Sequence, residues 1–145
     1  MLIHYYYGDR FNALFTTIGS AIRAKGHDFN VEIVVVDPSK IIGIDSILKF
    51  HNIKILTKQN ELFEQLDQWL NQDTTDKKCL YVIINFDIIY NSLTEELQEE
   101  LLAKLSFLKH KAELMLTGEK EITELLKISD YVSLFQNSKD DYCMA

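Results

Sequence analysis

The sequence predicts a three-layer α/β domain, a mainly parallel sheet of about six strands with helices on both faces. Three observations predict it. Short runs rich in β-branched and aromatic residues alternate with stretches of helical periodicity. Two of the runs, VEIVVVD and CLYVIINF, are almost continuously apolar, as a strand covered on both faces must be. A single proline and five glycines punctuate 145 residues, and no linker or internal repeat divides them, so one domain is expected over 1–145.

The elements follow in order. LIHYYY, from Leu2 to Tyr7, reads as the first strand, with three tyrosines forming core or cleft wall. A helix follows, with Leu14, Ile18, Ala21 and Ile22 as its apolar stripe. VEIVVVD (Val31 to Asp37) is the second strand and Asp37-Pro38 its turn. IKIL (Ile53 to Leu56) is a shorter strand. It is followed by a helix carrying Leu62, Phe63, Leu66, Trp69 and Leu70 against an acidic face of Glu61, Glu64 and Asp67. CLYVIINF (Cys79 to Phe86) is the next strand. Leu97, Leu101, Leu105 and Leu108 mark the clearest helix, with Ser92 and Glu95 placed to form a capping box at its start. ELML (Glu113 to Leu116), a short helix around Ile122, Leu125 and Leu126, and YVSLF (Tyr131 to Phe135) complete the alternation.

Composition excludes several classes of function. Acidic residues outnumber basic ones 22 to 15, a formal charge of −7, which leaves no cationic footprint for nucleic acid or an anionic membrane. No apolar run reaches the ~18 residues of a membrane span, and Met1-Leu2-Ile3 lacks the layout of a signal peptide. Cys79 and Cys143 have no metal-type spacing and read as free thiols of a cytoplasmic protein. His4, His27, His51 and His110 show no ligand spacing either, and the Asp140-Asp141-Tyr142 run reads as a solvated tail. No Ser–His–Asp or Cys–His arrangement can be read from the chain.

Parallel sheets bind ligands beyond the carboxyl ends of their strands, which draws attention to the loops after Tyr7, Asp37, Phe86 and Leu116. The segment YYYGDRFNALFTTIGSAIRAKGH (Tyr5 to His27) resembles the phosphate-loop type of ATP:corrinoid adenosyltransferases, whose first strand, loop and helix run approximately Y-T-G-D-G-K-G-K-T-T. The matching residues are Tyr6, Gly8, Asp9, Gly19, Ala21, Arg23, Ala24, Gly26 and His27. A second segment, LTGEKEITELLKISDYVS, is similar to the family's carboxyl-terminal motif through Leu116, Thr117, Gly118, Glu124, Leu125, Asp130 and Val132. The resemblance implies a phosphate-loop fold, a homodimer and, for an active member, transfer of the 5′-deoxyadenosyl group of Mg-ATP to a reduced corrinoid.

The centre of the loop departs from that pattern. A phosphate loop needs glycines for close backbone approach, a lysine for the β/γ-phosphates and a hydroxyl for magnesium. In the ungapped register Arg10-Phe11-Asn12-Ala13-Leu14 stands there, with Ala13 at the lysine and Leu14 at the metal hydroxyl. Sliding Thr16-Thr17 into place restores no lysine. The acidic pair at the end of the family's metal-binding strand becomes Asn85 and Phe86, with Asp87 one residue beyond, and Glu119 replaces an arginine.

The sequence therefore predicts a non-catalytic homologue that has lost Mg-ATP binding and serves as a binding or interaction module. No catalytic residue, metal or cofactor is assigned. A protein surface or a corrinoid-like ligand is the expected partner. The alternative is an active adenosyltransferase using ATP, magnesium and a corrinoid; a third reading is another enzyme working through Asp87 or Arg10. Gly8, Asp9, Arg10, Phe11, Asn12, Ala13 and Leu14 are the degenerate loop, and Asn85, Asp87, Thr117 and Gly118 are candidate cleft residues. Within the loop, Asp9 is expected to cap the helix, Arg10 to be a solvated cation, and Phe11 and Phe15 to fill the space left by the phosphates. The competing reading of the two phenylalanines is an exposed patch for a partner.

Overall fold

The computed structural model describes residues 1–37 and 53–136; Pro38, His51, Asp140-Asp141-Tyr142 and Cys143 lie outside them. The elements are β1 (Ile3–Gly8), α1 (Arg10–Gly26), β2 (Asn30–Val36), β3 (Ile53–Leu56), α2 (Gln59–Asn71), β4 (Cys79–Ile84), α3 (Phe86–Ser92), α4 (Glu95–Leu108), β5 (Glu113–Gly118), α5 (Thr123–Ile128) and β6 (Tyr131–Phe135). The six strands form one sheet in the order β3-β2-β4-β5-β1-β6, and every pairing is parallel. The predicted fold class is the observed one.

β4 shows why its sequence is so evenly apolar. All six residues are buried, but they serve two different cores. Tyr81 and Ile83 point into the core under α2, α3, α4 and α5, together with Leu66, Trp69, Phe86, Leu105 and Leu125. Leu80, Val82 and Ile84 point into the core under α1, with Leu14, Ile18 and Ala21. Alternation along a strand buried on both faces produces this division. In the larger core Trp69 lies flat on Tyr81, with ring centroids 4.4 Å apart and planes 2° from parallel.

α1 carries Arg23 and Lys25 in its last turn, where cations complement the helix dipole. Its buried stripe is Ala13, Leu14, Thr17, Ile18 and Ala21. Ile22, expected in that stripe, is instead 57 % exposed. At 3.6 residues per turn it falls on the outer flank shared by Phe11 and Phe15.

The start of α4 also differs from expectation. Ser92 is the last residue of α3 and its hydroxyl donates to the Ile89 carbonyl at 2.6 Å, so it does not cap α4. Thr94 is the cap, its Oγ1 accepting from Leu97 N at 3.4 Å. A seven-residue helix too short to show periodicity ends where a cap was expected. Thr94→Ala is expected to cost about 0.5–1 kcal/mol, the low end for a cap whose hydrogen bond is long, as read from urea denaturation.

The sheet's first strand is clipped at its start. Ile3 N donates to Asp130 Oδ2 at 2.8 Å and Lys109 Nζ to Asp130 Oδ1 at 3.0 Å. The Ile3 N–H, then the Lys109 ammonium, hold the Asp130 carboxyl below its usual range. This clip is intact at neutral pH and is lost as pH falls through that lowered value.

Candidate functional site

The strand order places the loop after β1 beside those after β5 and β4, and four elements converge there: β1, the first turn of α1, the β4–α3 junction and the end of β5. Gly8 ends β1 at φ 110°, and a Cβ there would run into the Phe135 carbonyl oxygen of β6. Only glycine suits both the angle and the approach. Asp9 follows as the N-cap of α1, but its carboxylate makes no cap hydrogen bond. Its backbone does the joining: Asp9 N donates to Phe135 O at 2.9 Å, and Ala13 N donates to Asp9 O at 3.0 Å.

Arg10, the first residue of α1, turns inward across the strand ends. Its Nη1 donates to Asn85 Oδ1 at 2.8 Å and to Asp87 Oδ1 at 3.0 Å, while Nη2 donates to Asp87 Oδ2 at 2.8 Å. Nη2 also lies 3.3 Å from Glu119 Oε2. The Arg10–Asp87 contact is a fork-on-fork pair, the strongest geometry open to these side chains. Arg10 is thus not the solvated cation expected. Its side chain is 21 % exposed and that of Asp87 only 5 %.

Each partner is fixed in turn. Asn85 sits at φ 63°, ψ 39°, a left-handed conformation that asparagine tolerates better than most residues. Its backbone N donates to Thr117 Oγ1 at 3.0 Å and its Nδ2 to the Val36 carbonyl at 3.0 Å, tying the ends of β4, β5 and β2 together. Asp87 Oδ2 accepts a further hydrogen bond from Glu119 N at 3.1 Å. Gly118 lies against this carboxyl: an added Cβ would meet Asp87 Cβ and Cγ at 3.0 Å and collide with the Tyr5 hydroxyl. Tyr5 donates that hydroxyl to the Lys120 carbonyl at 2.6 Å, and its pKa is pushed up by burial and then by the Asp87 charge.

The four candidate cleft residues are therefore brought together, but into packed structure. Asn85 is 2 % exposed, Asp87 3 % and Thr117 3 %, and Gly118 is buried with them. Ala13 and Leu14 lie in the core beneath α1, and Asn12 stands partly exposed on its outer side. Phe11 and Phe15 do not fill the junction. They are 45 % and 44 % exposed, with ring centroids 4.5 Å apart, and Arg10 takes the interior position instead. The reason is helical geometry, since Arg10 falls on the buried arc and the two rings on the flank.

Sequence reasoning missed the pairing itself. The signal in the sequence was a cation and a carboxylate, Arg10 and Asp87, each placed just beyond the carboxyl end of a strand. The cluster of Arg10, Asp87 and Glu119 carries one positive and two negative charges. It is suited to locking strand ends together and ill suited to attracting an anion.

A separate cavity of about 690 Å³ opens beyond the carboxyl ends of β2 and β3, lined by Val36, Leu56, Lys58, Gln59, Ile88 and Ser92 among others. None of the candidate cleft residues is among its described lining. Gln59 Nε2 spans one wall, donating to Ser92 O at 3.0 Å and Ser92 Oγ at 2.9 Å. Of the histidines, His4 meets Glu113 Oε2 at 3.3 Å and stacks on Tyr131, while His27 closes α1 and His110 follows α4. Among the described residues no group of three or more His, Cys, Asp or Glu side chains could hold a metal ion, and no helix is long and apolar enough to cross a membrane. Comparison with protein-family models and with curated proteins finds no match to this chain.

Proposed function

We propose that this chain is a non-catalytic, cytoplasmic relative of the phosphate-loop corrinoid adenosyltransferases, retained as a binding or interaction module. The observation that carries the reading is the Arg10–Asp87 pair, with Nη2 to Oδ2 at 2.8 Å, standing across the strand ends at the loop that resembles the family's phosphate site. A magnesium–triphosphate does not fit these residues. The nearest cation is already committed to two carboxylates and an amide oxygen, and Asp87 and Glu119 would repel the phosphates. The lysine and hydroxyl positions are the buried apolar residues Ala13 and Leu14. Asp87, the acid next to the position of the family's metal-binding pair, is held by Arg10 and by Glu119 N.

Titration calorimetry with ATP and magnesium is expected to show no saturable binding tighter than about 1 mM, and anaerobic incubation with reduced corrinoid and ATP no adenosylated product. Saturable, magnesium-dependent binding, or product formation, would overturn the reading.

A further inference from the structure

Two cavities meet along α2. The one of about 690 Å³ beyond β2 and β3 is lined in part by Lys58, Gln59 and Asn60. A second, of about 340 Å³, lies between α2 and α4 and shares Gln59 and Asn60 with the first, adding Phe63, Asp67, Leu97, Glu100 and Lys104. Together they make a furrow that follows α2 from Lys58 to Asp67, about 14 Å at the rise of a helix. A compact ligand would fill one end and leave the other wet. The shape suits a stretch of polypeptide chain.

The furrow is apolar at both ends. Val36, Leu56, Ile88 and Ile89 line the larger cavity, which is roomy enough for a large side chain. Phe63 and Leu97 pack against the core but stay partly exposed in the smaller one. Charge is one-sided along the α4 wall. Lys104 Nζ lies 2.6 Å from Asp67 Oδ1, so those two charges offset each other. Glu100 is exposed there, and Glu96 stands one turn before it on the same flank of α4. Among the described residues neither glutamate has an ion-pair partner.

We infer that this furrow docks a basic, amphipathic segment of a partner protein, with its largest apolar side chain in the larger cavity and a lysine or arginine against Glu96 and Glu100. Charge selects this occupant. In a chain of net charge −7, a second copy would bring further carboxylates towards the two glutamates, and nucleic acid or an anionic membrane would be repelled. A cationic segment is drawn in and pairs with carboxylates that have no partner of their own. The furrow supplies a docking site for the interaction module proposed above, and its assignment rests on that reading. Magnesium-dependent ATP binding would overturn the loss of nucleotide chemistry without touching the furrow. A furrow that binds no peptide would leave the nucleotide result standing.

The test is fluorescence anisotropy of the full chain with a labelled, synthetic helix-forming peptide that carries leucines on one face and lysines on the other. Saturable binding is expected, with amide chemical-shift changes concentrated in the walls at 58–67 and 96–104. The same peptide with glutamate in place of lysine is expected not to bind. Glu100→Lys is expected to weaken binding about tenfold at low salt. Asn60→Trp, at an exposed residue where the two cavities meet, is expected to block binding with unchanged circular dichroism. Glu99→Lys makes the same change of charge on the outward face of α4 and is expected to leave the affinity within about twofold. No saturable binding, equal binding of the glutamate peptide, equal weakening by Glu99→Lys and Glu100→Lys, or shift changes centred outside the furrow would overturn the proposal.

Discussion

Arg10→Met is expected to lower the unfolding free energy by about 2–4 kcal/mol, somewhat below the full cost of orphaning a buried charge because Arg10 is partly solvated. Methionine keeps most of the apolar stem, so the loss isolates the guanidinium. What remains is Asp87, 3 % exposed and negatively charged, with only Glu119 N donating to it among the contacts above. Adding Asp87→Asn should recover part of the loss. The amide oxygen still accepts from Glu119 N, and no unpaired charge stays behind. The double variant is therefore expected to be more stable than Arg10→Met alone, a coupling that urea denaturation of the four species measures. A double variant less stable than either single one would show that Asp87 matters for something besides its arginine.

Trp69→Ala is expected to be at least as damaging, at about 3–5 kcal/mol, because it empties the largest buried side chain from the face of Tyr81. Trp69→Phe should cost under about 2 kcal/mol. The phenyl ring keeps a partner for Tyr81, and the exchange removes the indole N–H, which has no hydrogen-bond partner in the structure. Comparing the two variants by thermal denaturation separates cavity cost from polar burial. A phenylalanine variant as unstable as the alanine one would mean that the indole's shape, with its unpaired N–H included, is what the core requires.

The fold was legible because its strands are buried on both faces. Val34, Val35, Val36 and the whole of β4 are apolar since each side of the sheet has a core to fill. The strand order was not legible, because parallel neighbours join segments far apart in the chain and nothing local records which strands meet. The same separation hid the Arg10–Asp87 pair, whose members lie 77 residues apart. Local errors had local causes. Phe11, Phe15 and Ile22 are apolar residues on an outer flank, and composition cannot tell that flank from a buried one. Ser92 looked like a cap because a capping pattern and the end of a short helix use the same polar residues. At the site, the sequence shows that Ala13 and Leu14 offer neither an ammonium nor a hydroxyl, whereas the closing of the junction by Arg10 required knowing which strand ends lie together.

The position of β1 has a consequence for the order of assembly. Its two neighbours are β5 and β6, so Ile3 meets Leu114 and His4 meets Tyr131. During synthesis β1 emerges more than a hundred residues before either of its partner strands and stays unpaired until they follow. Both of its hydrogen-bonding edges lack their strand partners throughout that interval. Assembly of such a sheet waits on long loop closures and is slow compared with a fold built from local contacts. The nascent chain is therefore the state in which this protein is most open to misassociation and to chaperone capture.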